Sequence, residues 1–329
     1  GQDLLDRDFT INAMAISLGT DSPENELVDP LCGLDDLRNN VLRMVGNRAF
    51  ISDPLRIIKG IRHATVLGIE PEQETLRSMH REVTGLYHVA DERIRQEVWG
   101  ILASKDAARG LYLLSSSLVG NYLFSKDYSS LVENIVDHLE VCRVRWGALS
   151  RECPNIDDWL VTDVEQGLSC ETLILWTLML VQIDQDLPAK LADEWMLSRK
   201  AQANISGLAT IGDSLLEELS SVHHSERAFS WWARKAHVDP KLLLLTLAAL
   251  GSEHHMSLIA SWVPFVAPLE GNPPDDFING HWLRSELGLQ DGPEMTTALS
   301  LVRESEISGE VTSEGEAHNL LLQHYKNMD

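Results

Sequence analysis

Four polar residues at intervals of three dominate one short window of this sequence. In Ser52-Asp53-Pro54-Leu55-Arg56-Ile57-Ile58-Lys59-Gly60-Ile61-Arg62-His63, a helix would carry Asp53, Arg56, Lys59 and Arg62 slowly around one face while Ile57, Ile58 and Ile61 fill the other. A carboxylate beside a guanidinium offers an acceptor and a planar donor fork. Such a pair can match the edge of a nucleobase, with Lys59 and Arg62 placed for a triphosphate. The same spacing also fits a solvated face on which Asp53 caps its own helix and forms an i, i+3 ion pair with Arg56.

A second window, Asp6-Arg7-Asp8-Phe9-Thr10-Ile11-Asn12-Ala13-Met14-Ala15, sets Arg7 between two carboxylates. Arg7 suits a phosphate, a neighbouring carboxylate suits a ribose hydroxyl, and Asn12 can brace the turn. Equally, charged residues before an apolar run form the exposed approach to a core element.

The elements that must position these residues are mostly helices. Ser52 or Asp53 can cap a helix that starts at Pro54 and ends at Gly68. Apolar stripes continue over 72–83 and 91–102, then over 129–146, 171–183, 203–219 and 240–250. Residues 8–18 fit a short helix or a strand. A turn-rich stretch, Gly19 to Asn25, follows, and Val28-Asp29-Pro30 leads through Gly33-Leu34-Asp35-Asp36-Leu37 into a short helix, the last candidate for sheet structure. The Pro-rich stretch Pro264 to Pro274 marks a boundary before a small helical tail. The fold expected is mainly α.

Lys and Arg total 27 against 50 Asp and Glu, a net charge of −23, which argues against a surface that embraces nucleic acid throughout. The balance is local: residues 38–99 hold ten basic and eight acidic side chains, residues 100–329 hold 16 and 33. Only the early segment suits phosphate. Cys32, Cys142, Cys153 and Cys170 form no Cys-x-x-Cys pair, and the adjacent His223-His224 and His254-His255 diverge on a helix, so neither set suggests a metal site; a reducing cytoplasm fits. No apolar run approaches the roughly 20 residues of a bilayer span, and the start lacks a signal-peptide pattern. Trp231 and Trp232 read as buried packing in a helical body.

Taken in order, three stretches resemble successive motifs of the bacterial (class II) tRNA nucleotidyltransferase and poly(A) polymerase family. They are Arg7-Asp8-Phe9-Thr10-Ile11-Asn12-Ala13-Met14-Ala15, Asp29-Pro30-Leu31-Cys32-Gly33-Leu34-Asp35-Asp36-Leu37, and Asp53-Pro54-Leu55-Arg56-Ile57-Ile58-Lys59-Gly60-Ile61-Arg62. Leu67 to Thr75, Glu92-Arg93-Ile94-Arg95-Gln96-Glu97 and the tail segments Ile278-Asn279-Gly280, Leu287-Gly288-Leu289, Gly292-Pro293 and Gly309-Glu310-Val311-Thr312 add to it. The likeness is strong over 3–104, recurs over 278–320 and is faint between.

The resemblance implies the remnant of an α/β nucleotidyltransferase head, or palm, over 1–47. A neck that recognises the nucleotide base and binds RNA follows over 48–110, then a helical body over 111–263 and a helical tail over 264–329. It implies addition of CMP and AMP to tRNA 3′ ends from CTP and ATP. Asp53 and Arg56 would read the base, Lys59, Arg62 and Arg7 would approach the triphosphate, Asp8 would lie near the ribose, and Asn12, Asp29 and Gly33 would shape the motif. By that resemblance Mg²⁺ would be bound by an Asp-x-Asp that follows a Gly-rich phosphate loop, expected upstream of Gly1, leaving this chain alone inactive. Asp6 and Asp8 lie inside the later motif with no such loop before them, and Asp184 and Asp186 read as a loop between helices, so no catalytic metal pair is assigned within the chain. The partners implied are nucleoside triphosphates and the acceptor arm and elbow of tRNA; a homodimer is compatible with it. Three positions depart from the family pattern: Ser52 for Glu, Lys59 for Arg, and Cys32 for Gly. A poly(A) polymerase, a CC-adding or A-adding relative, and a non-catalytic helical RNA-binding protein are the competing readings.

Overall fold

The computed structural model describes residues 2–16, 27–266, 269 and 274–326; Gly19 to Asn25 and most of the Pro264 to Pro274 stretch lie outside them. The chain forms two compact units, the first made of Gly1–Val141 and Thr162–Gln202, the second of Cys142–Val161 and Ala203–Asp329.

The first unit opens with α1 (Gln2–Leu5), a 3-10 turn at Thr10–Asn12, and a two-residue hairpin of β1 (Ala15–Ile16) with β2 (Leu27–Val28). Then come α2 (Gly33–Arg38), β3 (Val41–Leu42), α3 (Ala49–Ser52), α4 (Leu55–Leu67) and β4 (Glu70–Pro71), which pairs parallel with β3. Helices α5 (Gln73–Glu82), α6 (Asp91–Leu102), α7 (Ala107–Ser116) and α8 (Val119–Leu123) follow, then α9 (Tyr128–Glu152), of which residues 128–141 belong to this unit. After α10 (Asn155–Val161) of the second unit, the hairpin β5 (Asp163–Glu165) with β6 (Leu168–Ser169), α11 (Cys170–Ile183) and α12 (Leu187–Glu194) complete the first.

Helix α4 is the centre of that unit because its apolar stripe is continuous. Ile57, Ile58 and Ile61 are buried, and the helix packs on α6 and α7. Gly60 lets the Phe9 ring and the Met79 side chain approach the α4 backbone closely; a Cβ there would stand 2.5 Å from Phe9 Cζ and 2.6 Å from Met79 Cε. The turn carrying Asp8 is thus pinned to the helix carrying Lys59.

From α13 (Arg199–Ala209) onward the chain builds the second unit: α14 (Asp213–Leu219), α15 (Glu226–Lys235), α16 (Pro240–Leu250), α17 (Glu253–Val266), α18 (Gly280–Leu287), α19 (Pro293–Ser308) and α20 (Glu314–Lys326). Leu242 to Ala249 are buried all round, so α16 is a core helix, packed on α15 and α17. Trp146 Nε1 donates to Leu245 O at 2.7 Å, tying α9 to it. Trp231 and Trp232 are both buried, as the sequence suggested.

The expected helices stand at 91–102, 171–183 and 240–250 within a residue, and the mainly α class is observed. Two expectations fail. The run 203–219 is broken at Thr210 to Gly212, where Thr210 N closes a turn on Gly207 O; Ile211 stays buried in the link, so the apolar periodicity runs through the break and conceals it. Sheet also continues past Leu37, in β3–β4 and β5–β6. Strands of two or three residues are too short to show a period-2 pattern.

Candidate functional site

The site gathers around the first turn of α4. Asp53 stands just before it, its Oδ1 accepting from Leu55 N at 3.3 Å and so helping to start the helix. Its Oδ2 lies 3.4 Å from Arg93 Nη2 of α6. Arg56 turns the other way and donates from Nη2 to Asp6 O at 2.8 Å and from Nη1 to Arg7 O at 3.3 Å. The i, i+3 pair of Asp53 with Arg56 therefore does not form. Ser52 ends α3 and donates to Ala49 O, leaving the start of α4 to Asp53.

Asp8 is buried at 5% exposure and meets Lys59 Nζ at 2.7 Å. Asn12 Nδ2 and Phe9 N also donate to its Oδ1, at 3.1 and 2.8 Å. Burial works against the charge on Asp8, but Lys59, Asn12 and the Phe9 amide outweigh it and hold the carboxyl below the usual carboxylate range. The turn itself rests on α2. Asp29 accepts from Gly33 N at 2.7 Å and Leu34 N at 2.9 Å, and the Leu34 amide foremost holds its carboxyl low against desolvation. Thr10 Oγ1 donates to Asp36 at 2.7 Å, and Arg43 clamps Asp36 and Glu72 together. Cys32, at the usual glycine position, sits in the left-handed region with φ of 56° and is exposed.

One cleft of about 650 Å³ brings together Arg7, Asp8, Asn12, Asp53, Arg56 and Lys59. Sequence reasoning missed three further wall residues, His63, Arg93 and Glu97. Each had a signal: His63 adjoins Arg62, and Arg93 and Glu97 are four apart in a stretch already singled out. Burial foremost keeps the His63 imidazole below its ordinary pKa, aided by Arg62 and Lys59 against Asp8 and Glu97. A second concavity of about 470 Å³ shares Arg7 and Arg56 and adds Arg48. Arg62 lines neither: its Nε donates to Glu97 at 2.6 Å. Asp29 and Gly33 support the turn from α2.

No group of three or more His, Cys, Asp or Glu side chains stands close enough to hold a metal among the described residues. Asp8 is committed to Lys59, so Asp6 and Asp8 do not make a metal pair. The described residues do not fit a magnesium site.

The Asp8–Lys59 pair has a measurable pH signature. Because the folded pKa is the lower one, its contribution is complete above the unfolded carboxylate value near about pH 4 and disappears as acid passes through the folded value. Asp8→Asn should flatten the stability profile below about pH 4. Lys59→Met leaves a buried carboxylate with two donors, and should cost about 2 kcal/mol at neutral pH and move the acid loss upward. Urea unfolding across the acid range checks both; identical profiles in wild type and variants would dismiss the pair.

The family model described as Poly A polymerase head domain matches residues 1–43, and the one described as probable RNA and SrmB- binding site of polymerase A matches residues 68–129. A CC-adding tRNA nucleotidyltransferase of Geobacter sulfurreducens is 28% identical over 325 residues, which is 97% of this chain and 73% of that protein. An A-adding tRNA nucleotidyltransferase of Deinococcus radiodurans is 39% identical over 119 residues, 35% of this chain and 26% of that protein. In fold, the chain is similar to a CCA-adding enzyme solved with CTP, with a TM-score of 0.65 at 23% identity over 100% of this chain and 73% of that one. The Thermotoga maritima CCA-adding enzyme solved with tRNA gives a TM-score of 0.61 at 24% identity over 98% and 73%. With its head and RNA-binding segments matched in order around the Asp53–Arg56 cleft, the chain belongs to the class II tRNA nucleotidyltransferase and poly(A) polymerase family.

Proposed function

We propose that the cleft at the start of α4 selects the incoming nucleotide for a tRNA 3′-terminal nucleotidyltransferase that adds CMP and AMP. The observation that carries this is that Asp53 and Arg56 flank one cleft without neutralising each other. Cytosine and adenine each present an exocyclic amine beside a ring acceptor. A carboxylate accepts from the amine and a guanidinium donates to the ring, so one pair reads both bases. Uracil and guanine present the opposite order and would face an unpaired carboxylate, which costs more than a merely missing contact.

Arg7 and Lys59 are the cations placed for the triphosphate, Lys59 being shared with Asp8. Asp8 supports the ribose side of the cleft through that pair. Arg62, held by Glu97 of α6, acts as a brace for that cleft wall. Nucleotidyl transfer of this kind runs on magnesium ions, and the described residues contribute base selection and not their ligands. We assign 1–47 to the head, 48–110 to the neck, and 111–263 and 264–329 to a body and tail that hold the acceptor arm and elbow of tRNA through phosphate contacts and shape. Among the described residues no helix is long and apolar enough to cross a membrane; with four free cysteines, a cytoplasmic setting suits this role.

Calorimetric binding of CTP, ATP, UTP and GTP tests the reading. CTP and ATP should bind about tenfold or more tighter than UTP and GTP, and Asp53→Asn, Arg56→Ala and Arg56→Lys should each weaken CTP and ATP by a similar factor. Equal binding of all four nucleotides, or unchanged binding in the variants, rejects it. Incorporation into tRNA with CTP alone, ATP alone and both then separates CCA from CC or A addition.

A further inference from the structure

We propose that the second unit carries a separate binding site for a small molecule with a terminal phosphate or diphosphate, in the cleft between α15 and α19. The cleft measures about 430 Å³ and is lined by Trp231, Arg234, Lys235 and His237 on one side and Ser300 and Arg303 on the other. That volume falls in the ordinary range of small-molecule sites.

The charge there runs against the composition around it. The second unit holds 10 Lys and Arg against 21 Asp and Glu, yet three of its cations converge on this one concavity. Favourable interaction with the last carbonyls of α15 accounts for Arg234 and Lys235 at that helix end. It does not account for Arg303, which comes from α19 to the same ring. The Arg234 guanidinium carbon lies 4.3 Å from the Trp231 ring centroid and that of Arg303 4.8 Å. Trp231 is itself fixed, buried, with its Nε1 donating to Glu306 at 2.6 Å.

Stacking of this sort holds a guanidinium plane in place while leaving its in-plane N–H edges free to donate to an oxyanion. Neither Arg234 nor Lys235 has an ion-pair partner among the described residues, and Arg303 touches Asp276 only at 3.4 Å on the surface. Ser300 adds a hydroxyl, and His237, in the left-handed region with φ of 56°, joins the wall. Glu304 is the one carboxylate on the wall. Three cations against Glu304, with Asp276 reaching Arg303 from outside the wall, leave the cleft net positive. A terminal phosphate carries three acceptor oxygens and can take N–H edges of both guanidiniums at once, whereas a phosphodiester offers two free oxygens. The convergence of two guanidiniums favours a free phosphate-bearing molecule over a nucleic-acid backbone.

Titration calorimetry of the whole chain with pyrophosphate and with 5′-AMP tests this, and the double variant Arg7→Ala with Arg56→Ala sets aside binding of phosphate and base at the α4 cleft. Saturable binding should persist in that double variant. It should weaken about tenfold or more in Arg234→Ala and Arg303→Ala, and also in Lys235→Ala, where the substituted side chain is exposed and folding is not at stake. Arg303→Lys should bind less tightly than wild type, because it keeps the charge but loses the fork. Absence of saturable binding by either probe in the Arg7→Ala, Arg56→Ala double variant overturns the proposal, as does binding indifferent to Arg234, Lys235 and Arg303. Weakened tRNA binding in these variants with unchanged pyrophosphate and AMP binding would make the cleft an RNA contact and likewise overturn it.

Discussion

Gly33→Ala is expected to destabilise the first unit by about 3 kcal/mol or more and to weaken nucleotide binding with it. A Cβ on Gly33 would stand 2.1 Å from Thr10 O and 2.7 Å from Thr10 C. Both are backbone atoms, so no side chain can rotate away, and the 3-10 turn must move bodily. That turn holds Asn12 against Asp8 and Thr10 against Asp36, so its displacement reaches the cleft wall. Gly147 supplies the control: it lies inside α9 with open space where a Cβ would go, and Gly147→Ala should stabilise by about 0.5–1 kcal/mol. Urea unfolding of both variants decides the matter, and a Gly33→Ala cost below about 1 kcal/mol would show that α2 and the turn are not in contact as described.

A loss of about 3–5 kcal/mol is expected from Arg227→Ala in the second unit. Glu306 is buried at 3% exposure and receives the Arg227 Nε and Trp231 Nε1 hydrogens. Without the guanidinium, an ionised carboxylate remains in the core with a single donor. Arg227 also donates to Asp275 O at 2.6 Å and lies 3.5 Å over the Phe277 ring, so the truncation removes packing as well as charge. Adding Glu306→Gln to Arg227→Ala should return a good part of the loss, because an amide is far cheaper to bury than a carboxylate. If the double variant unfolds in urea as early as the single one, the cost lies in packing and not in the stranded charge.

The parts of this molecule that could be read from its sequence are those whose cause is local. Ile57, Ile58 and Ile61 mark α4 because a stripe at helical spacing needs no knowledge of its partner. Asp53 and Arg56 announced themselves by type and interval within the same turn. What escaped depends on residues far apart in the chain: Lys59 is committed to Asp8, Arg62 to Glu97 and Asp53 to Arg93, and none of these pairings follows from spacing. Arg62, expected at the triphosphate from its spacing, pairs with Glu97 of α6. The helix break at Gly212 was hidden for a different reason, since Ile211 stays buried and the periodicity passes through it unaltered.

On the function proposed for the α4 cleft, the pairing inside it also sets how a nucleotide arrives. Its wall carries four fixed cations, Arg7, Arg56, Lys59 and Arg93, against three carboxylates, Asp8, Asp53 and Glu97. Such a lining projects little long-range field, so encounter with a polyanion is only weakly accelerated and weakly sensitive to ionic strength. Capture then depends on short-range fit once the ligand is inside, which places the choice between nucleotides in the rate of escape instead of the rate of approach.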